Sequence, residues 1–259
     1  MSHYASGELE FTGPGLTQAV FSQGGSMNDN LQTAYGMPGS VTTADQRNRV
    51  LRNTYWLLAL SMVPTVLGSW VGMQMGFSWF ARNPLIGFMV FIGVAFGFFF
   101  AIEKTKNSGL GVVLLLAFTF FMGLMLSRMI GSVLGNYRNG SQLIAMAFGG
   151  TALVFFGMAT VATTIKRDIS GMGKWLFVGL LGIIAASVAN IWLQMPALML
   201  TVSVLAIVIF SAYMVYDLKR VIDGGETNYI TATLAIYLDV YNVFVNLLSI
   251  LGIFGGERD

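Results

Sequence analysis

The sequence predicts an all-α integral membrane protein with seven transmembrane helices in a compact bundle. Of the 259 residues, 55% are hydrophobic and only 10% are charged, and the mean hydropathy is +0.71. An ordinary soluble domain carries about 25% charged residues, so a soluble fold would leave much of this apolar surface in water. Apolar runs of about 20 residues, the length that crosses a hydrocarbon core of about 30 Å, recur after residue 46.

Seven apolar runs divide this part of the chain. They are long and do not alternate with polar residues, which favours helices over a barrel. The predicted spans are Asn53–Met75, Pro84–Ile102, Gly109–Met129, Gln142–Ile165, Lys174–Leu193, Pro196–Ile222 and Tyr229–Phe254. The connections are short, so we expect consecutive helices to be antiparallel neighbours. The seventh run contains three polar residues, and a re-entrant segment is the alternative interpretation there.

Residues 1–46 differ from the rest of the chain. They are rich in Gly, Ser, Thr, Gln and Asn and contain no Lys or Arg. Such a composition cannot bury a core, so we expect a disordered tail over 1–46 and a transmembrane domain over 47–259. The tail lacks the basic start and the apolar centre of a signal peptide.

The basic residues predict the orientation. Alternate connections place ten Lys and Arg side chains on one side of the bundle and four on the other, of 14 in total. Connections rich in Lys and Arg stay in the cytoplasm. We therefore expect the N-terminus, and the disordered tail with it, in the cytoplasm and the C-terminus outside.

Composition also excludes several kinds of chemistry. The chain has no cysteine and one histidine, His3 in the tail, which excludes disulfides, thiol catalysis, iron–sulfur clusters and histidine ligands inside the membrane. A net charge of +2 with scattered basic residues gives no support for nucleic-acid binding. With no nucleotide-binding loop, catalytic triad or zinc-protease motif, we expect no enzyme and no cofactor. An intramembrane aspartyl protease requires Gly before its second aspartate, whereas Leu238 precedes Asp239.

Two aspartates within apolar runs are the main candidates for function. An acid inside a membrane segment is costly and usually faces the protein interior or a water-filled path. At a rise of 1.5 Å per residue, Asp217 lies about 7 Å from the end of the sixth span and Asp239 about 12–15 Å from the start of the seventh. These depths allow contact between antiparallel neighbours. The alternative is that Asp217 reaches the interface beside Lys219 and Arg220.

If the two carboxyl groups meet, their titration is coupled, because like charges in a low-dielectric site do not both ionise easily. The pair would then sense pH, and in its ionised form it would offer a weak or transient site for Ca²⁺, which prefers oxygen ligands. Asn242 and Asn246 share a helical face with Asp239 at spacings i+3 and i+7. This stripe either extends the ion pathway or bonds neighbouring helices. The hydroxyls of Tyr213 or Tyr216 could add neutral oxygens.

Two further features have simpler interpretations. Glu103 and Lys104, at the end of the second span, form either a helix-end charge pair or a gate partner for the aspartates. Gly149, Gly150 and Gly157 in the fourth span predict close helix packing, as small residues do in membranes.

Three segments carry a resemblance to a known family. They are Ala-Thr-Thr-Ile-Lys-Arg-Asp-Ile-Ser at 162–170, Tyr-Asp-Leu at 216–218 and Ala-Ile-Tyr-Leu-Asp-Val-Tyr-Asn-Val-Phe-Val-Asn-Leu-Leu at 235–248. Over residues 48–256 the sequence resembles the transmembrane Bax inhibitor motif family. The resemblance implies a seven-helix bundle with the last helix central, ringed by the other six. It also implies a pH-sensitive calcium leak gated by an aspartate pair, here Asp217 and Asp239. A family gate arginine falls near Thr105, flanked here by Lys104 and Lys106.

Three other segments resemble one branch of that family, the bacterial inner-membrane modulators of the FtsH protease. They are Arg-Asn-Thr-Tyr-Trp-Leu-Leu at 52–58, Ala-Phe-Gly-Gly-Thr-Ala-Leu-Val-Phe-Phe at 147–156 and Gly-Gly-Glu-Thr-Asn-Tyr-Ile at 224–230. The branch implies location in the bacterial inner membrane, with FtsH and its membrane partners as binding partners. The tail would offer a processive, ATP-dependent protease a place to begin threading.

Overall fold

The computed structural model describes residues 44–75 and 84–257 and shows an all-helical protein over those ranges. Its seven helices are α1 Ala44–Gln74, α2 Pro84–Thr105, α3 Gly109–Asn136, α4 Gly140–Thr164, α5 Met172–Leu193, α6 Pro196–Ile222 and α7 Tyr229–Gly255. All seven are long and apolar enough to cross a membrane. The predicted class, an all-α membrane protein with seven spans, is confirmed. The predicted disordered tail lies outside the described residues except for 44–46, which open α1.

Several helices are longer than the predicted spans, because the helical backbone continues through polar residues at the ends of the apolar runs. Helix α1 begins at Ala44 rather than Asn53, and α3 continues to Asn136 rather than Met129. Helix α6 keeps its predicted bounds, with Pro196 in its first turn, where a missing N–H costs nothing. Helix α7 is uninterrupted from Tyr229 to Gly255, about 40 Å at 1.5 Å per residue. That length suits a full span rather than a re-entrant segment.

Glycines set the close packing of α1 against α3. A Cβ added at Gly123 would overlap the carbonyl oxygen of Thr65, and one at Gly68 would overlap the carbonyl oxygen of Phe120. The prediction for α4 was wrong at two of its three glycines. A Cβ at Gly149 or Gly157 would meet nothing within 4 Å, while one at Gly150 would touch the Leu247 side chain at 3.4 Å.

Helix α7 packs against α1, α2, α3, α4 and α6, whereas α5 packs only against α6 among the described helices. The expectation that six helices ring the last one is therefore not confirmed. Consecutive helices are not always neighbours either, since α1 does not pack on α2 and α4 does not pack on α5.

The core joins α2, α3 and α7 through aromatic side chains. The Phe118 ring is fully buried and lies 5.6 Å from the ring of Phe98, 5.4 Å from that of Phe99 and 6.4 Å from that of Tyr237, between centroids. The loops add polar ties. The Asn228 side chain accepts hydrogen bonds from the first amides of α7 and donates to the Lys106 carbonyl, which fixes the α2–α3 loop to the start of α7.

Candidate functional site

The structure brings Asp217 and Asp239 together. Asp217 lies on α6, near its end at Ile222, and Asp239 lies on the adjacent α7. The two carboxyl groups are within hydrogen-bonding reach of each other. Asp239 is 4% exposed, and the Asp217 side chain is 13% exposed. The aspartates thus form one buried site inside the bundle rather than two separate charges.

The hydrogen bonding of Asp239 is incomplete. Its Oδ2 atom is buried and has no donor among the described residues. A buried acceptor without a donor is destabilising. A contact between two carboxyl groups is a hydrogen bond only when one of them carries a proton. A single proton on the pair would therefore supply the donor that Asp239 lacks, and loss of that proton would leave two negative charges in contact.

Arg220 belongs to the site, although it was predicted only as a neighbour of Asp217 at the interface. Its guanidinium lies 3.8 Å from the Asp217 carboxylate and 3.6 Å from that of Glu226. The same group lies over the Tyr216 ring, 5.8 Å from its centroid. The signal was present in the sequence, because residues three apart on a helix are surface neighbours.

The asparagine stripe does not bond to the aspartates. The amide of Asn242 donates to the Leu238 carbonyl at 2.8 Å, and that of Asn246 donates to the Asn242 carbonyl at 2.8 Å. Both carbonyls belong to α7 itself. The two amide groups therefore serve their own helix, and among the described residues neither donates to a neighbouring helix.

The candidate gate partners at the end of α2 do not pair with the aspartates. Lys106 forms an ion pair with Glu103, so a helix-end pair exists with Lys106 in place of the expected Lys104. In the part of the chain that the structure describes, Lys104 has no ion pair.

Of the two tyrosines named from the sequence, Tyr213 lies beside the pair and Tyr216 packs elsewhere. Tyr213 lies within electrostatic reach of both carboxylates. Tyr216 packs over Gly173 at the start of α5, where a Cβ would come within 2.7 Å of the tyrosine oxygen. Of the two tyrosines expected to add a neutral oxygen to a cation path, Tyr213 is the one near both carboxylates.

The oxygen set is too small to hold Ca²⁺ by itself. Ca²⁺ takes about six to eight oxygen ligands. Over residues 44–75 and 84–257, no group of three or more His, Cys, Asp or Glu side chains could hold a metal ion. Asp217, Asp239 and Tyr213 would leave most of the coordination to water.

The α4–α5 loop lies at the same end of the bundle as the C-terminus of α6. The Oδ1 atom of Asp168 accepts a hydrogen bond from the Ser170 amide at 2.8 Å. This bond, helped by the Ser170 hydroxyl and the Lys219 charge, holds the pKa of Asp168 below its usual range. Lys219 itself pairs with Asp223 at 2.8 Å.

The fold and site define a class: an all-helical, seven-span membrane protein with a buried carboxylate pair on its last two helices. A family model described as "Inhibitor of apoptosis-promoting Bax1" matches residues 47–256. The chain belongs to this Bax inhibitor family, as the motifs at 162–170, 216–218 and 235–248 predicted.

Individual relatives agree with this assignment. The "Modulator of FtsH protease YccA" of Escherichia coli K12 is 38% identical over 207 residues, covering 79% of this chain and 90% of the relative. An uncharacterized protein of Pseudomonas aeruginosa is 37% identical over 224 residues, covering 86% and 97% of the two chains. An uncharacterized membrane protein of Vibrio cholerae is 36% identical over 208 residues, covering 80% and 91%.

Proposed function

We propose that the chain is a bacterial inner-membrane modulator of the FtsH protease, and also a slowly degraded substrate of it. The observation that carries the proposal is the 38% identity to a protein named as an FtsH modulator, across 90% of that protein's length. A relative from a second E. coli strain is named an inner membrane protein, which supports the location. In this proposal the N-terminus faces the cytoplasm, as the Lys and Arg distribution predicts.

The composition of the tail supports a mechanism. A processive protease has to begin on a segment without stable structure, and the composition of residues 1–46 favours such a segment. The described part of the chain offers little else, because its longest connection is 165–171. After the protease has pulled in the tail, the next part of the chain to reach it would be α1, which packs closely against α3. Resistance of that pair to extraction would occupy the protease and slow its work on other substrates.

Deletion of residues 1–40 tests the substrate part of this proposal. We expect a longer half-life in cells with FtsH, with unchanged thermal unfolding, because the deletion ends before α1. A variant with residues 1–40 shuffled is the matched control, since it keeps length and composition. The shuffled variant should be degraded at the normal rate. Unchanged turnover after deletion would contradict the proposal.

The modulator part is tested with a second membrane substrate of FtsH. Raising the level of the full chain should slow degradation of that substrate, and the deletion variant should slow it less. No effect of the full chain on the second substrate would contradict a modulating role, whatever the half-life of the chain itself.

A second candidate function, a pH-gated calcium leak, is favoured by the contact between Asp217 and Asp239. In this proposal the protonated pair closes a path through the bundle by hydrogen bonding. When both are ionised, the two carboxylates repel each other and a hydrated cation can enter between them. Because one function would use the tail and the other the bundle interior, the two can coexist.

Calcium flux into proteoliposomes tests the leak. We expect slower entry at acidic pH, and we expect Asp217→Asn and Asp239→Asn to lose that pH dependence. Asp223→Asn is the matched control, because Asp223 ends the same helix and is exposed. Flux no greater than in empty liposomes, or normal pH dependence in both pair variants, would contradict the leak.

A further inference from the structure

A groove runs along the bundle between α1 and α4. Its cavity has a volume of about 800 Å³ and is lined by side chains of α1, α3, α4 and α7. The backbones of α1 and α4 do not approach each other. Among the lining residues Val66, Phe148 and Phe156 are exposed. The groove therefore opens sideways, where the bilayer would be.

The polar groups deep in this groove are already satisfied. The hydroxyls of Thr65 and Tyr237 bond to each other at 2.8 Å. Tyr241 donates to the Met122 carbonyl at 3.2 Å, and Thr151 donates to the Ala147 carbonyl at 2.7 Å. A cavity whose deep polar groups are already bonded holds water poorly and accepts apolar ligands. The occupant should therefore be a hydrocarbon chain.

One end of the groove carries positive charge. Arg52 precedes the groove on α1, and the lining residues Tyr55, Ala59 and Met62 follow it at i+3, i+7 and i+10, on the same helical face. Lys166 and Arg167 follow the end of α4 on the same side of the bundle. These three cations are exposed, and none forms an ion pair within residues 44–75 and 84–257.

The length of the groove matches one leaflet. On α1 the lining extends from Tyr55 to Val66, and on α4 from Phe148 to Ala159, each about 16 Å at 1.5 Å per residue. Half of the hydrocarbon core is about 15 Å. A lipid acyl chain of one leaflet therefore matches the groove in length.

We propose that this groove is a binding site for an anionic phospholipid from the leaflet on the Arg52 side. One acyl chain lies between α1 and α4 against Tyr237 and Tyr241. The phosphate lies among Arg52, Lys166 and Arg167. Basic pockets between transmembrane helices are a recurring way to hold anionic head groups.

The test uses the full chain, delipidated in detergent and titrated with phosphatidylglycerol or with phosphatidylcholine of the same chains, with bound lipid counted by native mass spectrometry. We expect one tightly held phosphatidylglycerol. Ala152→Trp fills the groove and should abolish that binding. Ala185→Trp, at an exposed position on α5, is the matched control and should bind normally.

Charge variants test the head-group end without changing the core. Arg52→Gln should weaken phosphatidylglycerol binding about fivefold, as expected for one surface cation. Arg128→Gln, an exposed arginine of α3, has the same change in net charge and should have no effect. Glycerol phosphate, which has no chain, should not compete.

The proposal is overturned if Ala152→Trp binds phosphatidylglycerol like the unmodified chain, or if phosphatidylcholine binds equally well. It is also overturned if the chain forms a dimer that Ala152→Trp dissociates, since the groove would then receive a second copy. If Ala152→Trp does not fold, the arginine pair decides. Equal affinity of Arg52→Gln and Arg128→Gln contradicts the site.

Discussion

The hydroxyls of Thr65 and Tyr237 hydrogen-bond to each other at 2.8 Å and join α1 to α7 inside the bundle. Thr65 is 8% exposed and Tyr237 is 1% exposed. The two side chains depend on this bond unequally. The Thr65 hydroxyl also lies 2.9 Å from the Ser61 carbonyl oxygen and 3.2 Å from the Thr119 carbonyl oxygen. The Tyr237 hydroxyl has one further hydrogen-bond contact among the described residues, 3.5 Å to the Thr119 carbonyl oxygen.

This inequality predicts that Thr65→Val destabilises the protein more than Tyr237→Phe. Valine would leave the buried Tyr237 hydroxyl without a good partner, at about 1–3 kcal/mol. Phenylalanine removes that hydroxyl and leaves Thr65 bonded to carbonyls, at about 0.5–1.5 kcal/mol. Thermal or denaturant unfolding in one detergent measures the order. The reverse order would show that the bond is not the main tie at this position.

The close approach of α1 and α3 predicts a strong effect of one added methyl group. Gly123→Ala should destabilise by about 1–3 kcal/mol, because its Cβ meets the Thr65 carbonyl in a packed core. Gly157→Ala is the matched control on an open helix face and should be neutral or stabilising by up to about 1 kcal/mol. Comparable loss of stability in both variants would contradict the close contact.

Asn228 caps α7 and also ties it to the α2–α3 loop, and two substitutions separate these roles. Asn228→Ala should lose about 1 kcal/mol from the cap alone. Asn228→Asp keeps the acceptor for the Ile230 amide and loses the donors to Lys106 and Asn107. Hydrogen exchange should quicken at 106–108 in both variants and at 229–231 only in the alanine variant. Equal protection of 229–231 in the two variants would contradict the cap.

The Asp168 turn predicts an acid-sensitive loop. Because its pKa is depressed in the folded chain, the turn is fully stabilised above the pKa of the unfolded chain, and the stabilisation is lost as pH falls through the folded value. Ser170→Pro removes both donors and should return the pKa to the ordinary range. Ser170→Ala keeps the amide and should return it only in part. Carboxyl NMR titration measures these values, and identical values in the two variants would exclude the amide as the main cause.

The number and kind of helices were predictable because span length and hydropathy are local properties of the sequence. The bounds of α6 were predicted from Pro196 to Ile222, and Gly224, two residues beyond its end, has a φ of +79°. The expectation that Asp217 and Asp239 lie near each other came from the depth of each residue in its span. It depends on the two helices being neighbours, and these consecutive helices do pack together.

Features that depend on helix rotation and neighbours were not predictable in the same way. Gly149 and Gly123 look alike in sequence, and only the packing shows that one faces open space and the other a backbone carbonyl. The apolar pattern of α5 likewise does not reveal that it packs only on α6 among the described helices. Lys104 and Lys106 differ because only one of them reaches Glu103.

A functional link to FtsH should be visible as recovery of the protease together with the full chain. The tagged chain would be purified from its native membranes, and FtsH in the eluate would be compared with that recovered by an unrelated seven-helix protein carrying the same tag at the same level. We expect clear enrichment of FtsH and its membrane partners with this chain. Equal recovery with the unrelated protein would contradict it.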